Sequence, residues 1–96
     1  MTMLQASVHP GEILKHEFLD EMGISAGKLA RHIHVPRTRI ERLVKNETAM
    51  TVDTAQRLAR AFGTSVEFWM NLQLNHDLGK NQPDPAISAI EPLTAA

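Results

Sequence analysis

The 96-residue chain has no cysteine and no tyrosine, and its aromatic content stops at three phenylalanines and one tryptophan. Lacking cysteine, it has no disulfide framework, no thiolate zinc site and no cysteine nucleophile. So few aromatics argue against a strand-rich core and lean toward helices. Long apolar runs are missing too. No segment approaches the length needed to span a bilayer, and the opening MTMLQASVHPGE has neither the basic start nor the apolar stretch of a signal peptide. A cytoplasmic setting is the expectation. Glycine-rich phosphate loops, the GxSxG elbow and internal repeats are also absent.

What is present fits one helical domain. With 43% hydrophobic and 22% charged residues, the chain can bury a modest core without metal or disulfide support. The formal net charge of −1 hides an uneven distribution. Between Ser25 and Thr48 lie Lys28, Arg31, Arg37, Arg39, Arg42 and Lys45 against only Glu41 and Glu47, whereas both flanking segments are acidic on balance. A basic middle between acidic ends concentrates the field on one surface.

The spacing predicts five helices. His9, Pro10, Gly11 and Glu12 read as a helix start, with Pro10 at the first helical position and Glu12 near the positive end of the dipole. Ile13, Leu14, Phe18, Leu19 and Met22 then follow helical spacing up to Gly23, a C-terminal stop. Ser25 caps a second helix that buries Leu29, Ala30 and Ile33. The third runs from near Pro36 to about Lys45, with Asn46 suited to left-handed backbone. Thr51 caps the fourth, whose stripe is Val52, Ala55, Leu58, Ala59 and Phe62, closed by Gly63. Thr64 and Glu67 have the spacing of a reciprocal capping box for the fifth. Residues 1–8 read as a flexible lead-in, 9–78 as the folded domain, and 79–96, with three of the five prolines, as a loose tail.

Two helices carry the functional signal. On the third, Arg37, Thr38, Glu41, Arg42 and Lys45 gather on one side while Ile40, Leu43 and Val44 take the other. These polar side chains suit major-groove base edges, so Arg37, Thr38, Glu41 and Arg42 are expected to read bases. Lys28, Arg39 and Lys45 are expected on phosphates, with the amino end of the second helix at Ser25, Ala26 and Gly27 adding backbone amides. On the fifth helix both sides are apolar: Val66, Met70, Leu74 and Leu78 track along one, and Phe68, Trp69 and Leu72 cluster roughly opposite. The second cluster is expected to face the core, leaving Val66, Met70 and Leu74 as a homodimer interface.

Enzymatic chemistry finds little support. His16 and Glu17 open something like HExxH, but Asp20 stands where the second histidine belongs. His32 and His34 are two residues apart, which does not bring imidazoles together on a helix. No enzyme activity, metal or cofactor is expected. The acidic set Glu12, Glu17, Asp20 and Glu21 could meet a basic partner, but a solvated face explains it more simply.

Residues 25–45 resemble the helix-turn-helix of the phage-repressor (Cro and cI type, XRE) superfamily. Ala30 matches the small residue where the two helices cross, and Ile40 and Leu43 match the buried positions of the recognition helix. His34 stands where that pattern usually has glycine. HPGEIL at residues 9–14 and EFWMNLQLNHDL at 67–78 are further similar to the HigA-type antitoxins, also known as virulence-associated protein I, with His76 in place of the family's usual tyrosine. That resemblance implies an all-α, five-helix lambda-repressor-like domain whose helices 2 and 3 form the helix-turn-helix. It also implies a homodimer that represses its own operon at a palindromic double-stranded operator and neutralises a HigB/RelE-like toxin that cleaves messenger RNA. A regulator of the same fold without a toxin, and a toxin-binding protein with weak DNA binding, are the alternatives.

Overall fold

The computed structural model describes residues 8–94. Five helices make the domain, and no strand occurs among the described residues. Helix α1 covers residues 10–22 in three consecutive segments, an opening turn Pro10–Ile13, a π-helical stretch Leu14–Leu19 and a last turn Asp20–Met22. Then follow α2 (Ala26–His32), α3 (Arg37–Val44), α4 (Val52–Phe62) and α5 (Val66–Lys80), and a short 3₁₀ turn at Pro85–Ala89. The predicted five-helix order is therefore the observed one. Residues 1–7 of the expected lead-in and the last two of the expected tail lie outside the described residues.

Four chain reversals share one hydrogen-bonding plan. After α1, α2, α3 and α4 a residue in left-handed backbone reverses the chain: Gly23 (φ 65), His34 (φ 62), Asn46 (φ 63) and Gly63 (φ 70). In each case the next amide reaches back five residues: Ile24 to Leu19 O, Val35 to Ala30 O, Glu47 to Arg42 O and Thr64 to Ala59 O, at 2.9–3.1 Å. These bonds satisfy carbonyls that a helix end leaves without partners. Four of the five starts carry a side-chain cap, the exception being α3 after Pro36. Ser25 Oγ accepts from the Lys28 amide, Thr51 Oγ1 from Thr54 and Ser65 Oγ from Phe68. At α1 the cap is His9, whose Nδ1 accepts from the Gly11 amide at 2.9 Å.

The core is built around Leu14, Leu19, Leu29, Ala30, Ile33, Ile40, Leu43, Ala55, Leu58 and Trp69, all buried. Glycine is required at Gly11, because a Cβ there would stand 1.8 Å from the carbonyl oxygen of Leu43. The start of α1 thus lies directly on the end of α3.

Several expectations need correction. Helical spacing puts Met22 on the buried stripe of α1, but the residue is 58% exposed. The π-helical stretch carries more residues per turn than an α-helix, so Leu14 and Leu19, five apart, share the buried face and Met22 is turned out of register. Val52, the first residue of α4, is also exposed, and the loop residue Met50 is buried at that edge instead. The Thr64–Glu67 capping box does not form. Ser65 caps α5, and the Thr64 hydroxyl accepts from the buried Trp69 Nε1 at 2.7 Å, an indole donor that needs a partner. Helix α5 runs to Lys80, past the expected start of the tail.

The two-stripe division of α5 is corrected as well. Trp69 and Gln73 are the buried residues, with Val66, Met70 and Leu72 half-buried against the core, while Phe68, Leu74 and Leu78 are exposed. The core-facing line falls between the two apolar stripes because Gln73, which hydrophobic spacing passes over, is part of it. Its Oε1 accepts from the Met50 amide at 2.7 Å and its Nε2 donates to Asp77 at 2.9 Å, so both ends of the buried amide have a partner.

Candidate nucleic-acid interface

Helix α3 sits on the domain by Ile40 and Leu43, both buried, and turns Arg37, Thr38, Arg42 and Lys45 to solvent. Glu41 is half-buried and pairs with Arg37 one turn earlier, Nε to Oε2 at 3.2 Å. The exposed arginine is thereby oriented along the helix surface, although so open a pair adds little stability. The buried and exposed sides divide as the sequence spacing predicts.

The amino end of α2 lies beside this face. A Cβ on Gly27 would be 2.9 Å from Arg37 Cδ, so the arginine stem lies across the first turn of α2. Ser25 Oγ takes the Lys28 amide, while the amides of Ala26 and Gly27 have no partner within their own helix. Lys28 is exposed at the same end. The geometry therefore brings Ser25, Ala26, Gly27 and Lys28 together with Arg37, a grouping of cationic side chains and amide donors that suits phosphate.

Arg39, expected on a phosphate, is engaged within the protein. Its Nη1 donates to Asp53 Oδ2 on α4, and Arg57 Nε donates to the same oxygen at 3.0 Å. Hydrogen bonds from Arg57 and then Arg39 hold the Asp53 carboxyl below its ordinary range. On this side of α3 a cleft of about 340 Å³ is lined by Thr38, Arg39, Arg42, Thr48 and Thr51. Thr48 and Thr51 escaped the sequence reading, where Thr51 registers only as a helix cap.

The HigA-like segments also acquire positions. His9 is buried at the start of α1, and the ring of His76, on α5, meets it edge-to-face at 4.9 Å. Burial first, and the neighbouring His76 second, lower the His9 pKa. The aromatic cluster of Phe18, Phe62, Phe68 and Trp69 joins α1, α4 and α5, with ring centroids 4.8–6.3 Å apart.

Residues 16–69 match a family model described as helix-turn-helix. Virulence-associated protein I of Dichelobacter nodosus is 43% identical over 92% of this chain and 82% of its own length. The Pseudomonas aeruginosa antitoxin HigA, solved with the higBA promoter, is 40% identical over 92% of this chain and 99% of its own, with a TM-score of 0.77. The chain belongs to the HigA-type helix-turn-helix family. A Pseudomonas aeruginosa structure solved in complex with 18-bp operator DNA superposes with a TM-score of 0.83 at 42% identity, covering 90% of this chain and 96% of that one. Membership in this family of DNA-binding antitoxins and regulators gives the HigA-type chain a lambda-repressor-like fold with α2 and α3 as its helix-turn-helix. Among the described residues no helix is long and apolar enough to cross a membrane.

Proposed function

We propose that the chain is an operator-binding antitoxin that acts as a homodimer, reads a palindromic site on double-stranded DNA and represses its own operon. The observation that carries this reading is the exposed face of α3, with Arg37, Thr38 and Arg42 in the open beside the amino end of α2. Arg37 and Arg42 have the fork that fits guanine O6 and N7, Glu41 can accept from a cytosine amino group, and Thr38 serves either base. Lys28 and Lys45, with the amides at Ser25, Ala26 and Gly27, contact phosphate. Two such helices related by a two-fold axis would occupy half-sites about 34 Å apart.

The dimer is assigned to α5. Leu74 and Leu78, one turn apart, are 53% and 66% exposed, and the half-buried Met70 borders them. Val66 lies further in, against the core. The partner toxin, of the HigB/RelE-like class, follows from the antitoxins that this chain resembles.

Operator titrations over a range of salt concentrations test the DNA reading. Arg42→Ala should relax preference at one half-site position by about 1–3 kcal/mol while largely keeping the salt slope, and Lys45→Ala should weaken all sequences alike and lower the slope by about one. The reverse pattern would overturn the assignment. Co-expression with the product of the neighbouring reading frame tests the antitoxin role: rescue from a toxic neighbour supports it, and the absence of any toxic neighbour leaves a stand-alone regulator.

A further inference from the structure

The corner between α2 and α3 is held from outside the helix-turn-helix. Arg57, in the middle of α4, donates from Nη1 to the carbonyl of Ile33 at 2.8 Å and reaches that of His34 at 3.5 Å. These two carbonyls lie on either side of the Cα of His34, the residue in left-handed backbone. From Nε the same guanidinium donates to Asp53 Oδ2 at 3.0 Å, and that oxygen also accepts from Arg39 Nη1 in the first turn of α3. A continuous run of charged hydrogen bonds therefore leads from the corner through Arg57 and Asp53 to the recognition helix.

We propose that Asp53 and Arg57 are positioning residues for DNA recognition, fixing the angle at which α3 leaves the corner and so the register of its reading face. This rests on the DNA-binding reading above. Histidine in left-handed backbone bears a steric cost that glycine would not, and a cation shared by the carbonyls around it offsets that cost. Asp53 makes no sense as an electrostatic aid to binding, since a carboxylate beside a DNA-facing helix repels phosphate. As the joint acceptor for Arg39 and Arg57 it ties α4 to α3. Its depressed pKa is consistent with this arrangement. Isolated exposed ion pairs are weak, but here the shared oxygen and the backbone acceptors connect three elements, and the effect falls on orientation rather than on global stability.

The test uses the full chain, a duplex from the DNA upstream of its own gene, and a scrambled duplex of equal length at the same salt concentration. Asp53→Asn should cut the ratio of operator to scrambled affinity about tenfold, the scale of one good base contact, while scrambled affinity holds or rises. Simple removal of a negative charge would instead raise both affinities and keep the ratio. Arg57→Lys retains the charge but cannot span Asp53 and the corner carbonyls together, so it should show the same loss, and the double variant should lose no more than either alone. In the free protein, amide exchange at Val35 and Arg39, bonded to Ala30 O and Pro36 O, should quicken about fivefold or more in both variants while α5 amides stay unchanged. A ratio held within about twofold in both variants, or unchanged exchange at the corner, would overturn the proposal. If the unmodified chain shows no operator preference, the DNA reading is at fault, and the exchange measurement alone then decides whether Asp53 and Arg57 position the corner.

Discussion

His9 does two jobs with one ring. Its Nδ1 accepts the Gly11 amide, which requires the neutral imidazole, and its ring is packed against His76. Burial first, and the neighbouring His76 second, make folding favour the uncharged form, and the pKa falls below the ordinary 6.5. The unfolded chain takes up a proton near 6.5, whereas the folded chain does so only at lower pH. Stability should accordingly be intact above 6.5 and decline as the pH drops through and below that value, until the folded His9 is itself protonated. Thermal melts from about pH 7.5 down to about pH 5 should show this decline, and His9→Asn, a cap that does not titrate, should flatten it. At this scale much was legible in the sequence. His9-Pro10-Gly11-Glu12 announced the helix start, and the exposed set on α3 followed from spacing alone. The engagement of Arg39 was not, because Asp53 and Arg57 lie 14 and 18 positions away and only the fold brings them to it. Gln73 was hidden for another reason: a polar residue can belong to the core when its oxygen and its nitrogen each find a partner.

Among the elements, helix ends were the most readable and helix interiors the least. Gly23, Asn46 and Gly63 are residues that tolerate positive φ, and each stands where left-handed backbone is needed. His34 completes the set against its own preference. His34→Gly should therefore stabilise the domain by about 0.5–1 kcal/mol, relief of the steric cost outweighing the added freedom of the unfolded chain, as checked by urea unfolding. The Arg57 bonds go to carbonyls and survive that change. Inside α1 the π-helical stretch was invisible, since Leu14, Phe18 and Met22, spaced by four, fit an ordinary α-helix, and the regular spacing therefore carries Met22 onto the buried side. On α5 two apolar stripes competed for one core, and their spacing could not rank them. Burial of the Trp69 indole with its Thr64 partner resolved the matter.

For the whole molecule, the apolar surface left open on α5 matters most. The exposed leucines at 74 and 78 lie beyond the covered Trp69–Gln73 line, where a second copy would meet them. If the proposed dimer forms through α5, Leu74→Glu should raise its dissociation constant by about tenfold or more in analytical ultracentrifugation and leave the monomer's helix content unchanged. Met70 is a poorer site for that test, being packed partly on the core. Operator affinity should fall in parallel, since each half-site then binds one reading helix without its mate.

The seating of α3 has one more effect. The helix is pinned at its beginning, where Arg39 meets Asp53, and at its end, where the Leu43 carbonyl lies against Gly11 and Asn46 Nδ2 donates to Glu12 at 3.1 Å. A probe clamped at both ends has no slack with which to follow a groove of the wrong width or pitch. In the proposed homodimer, any mismatch between the spacing of the two helices and that of the half-sites must then be absorbed by bending or twisting of the duplex. Base pairs between the half-sites, which no side chain touches, would on this view influence affinity through their stiffness alone.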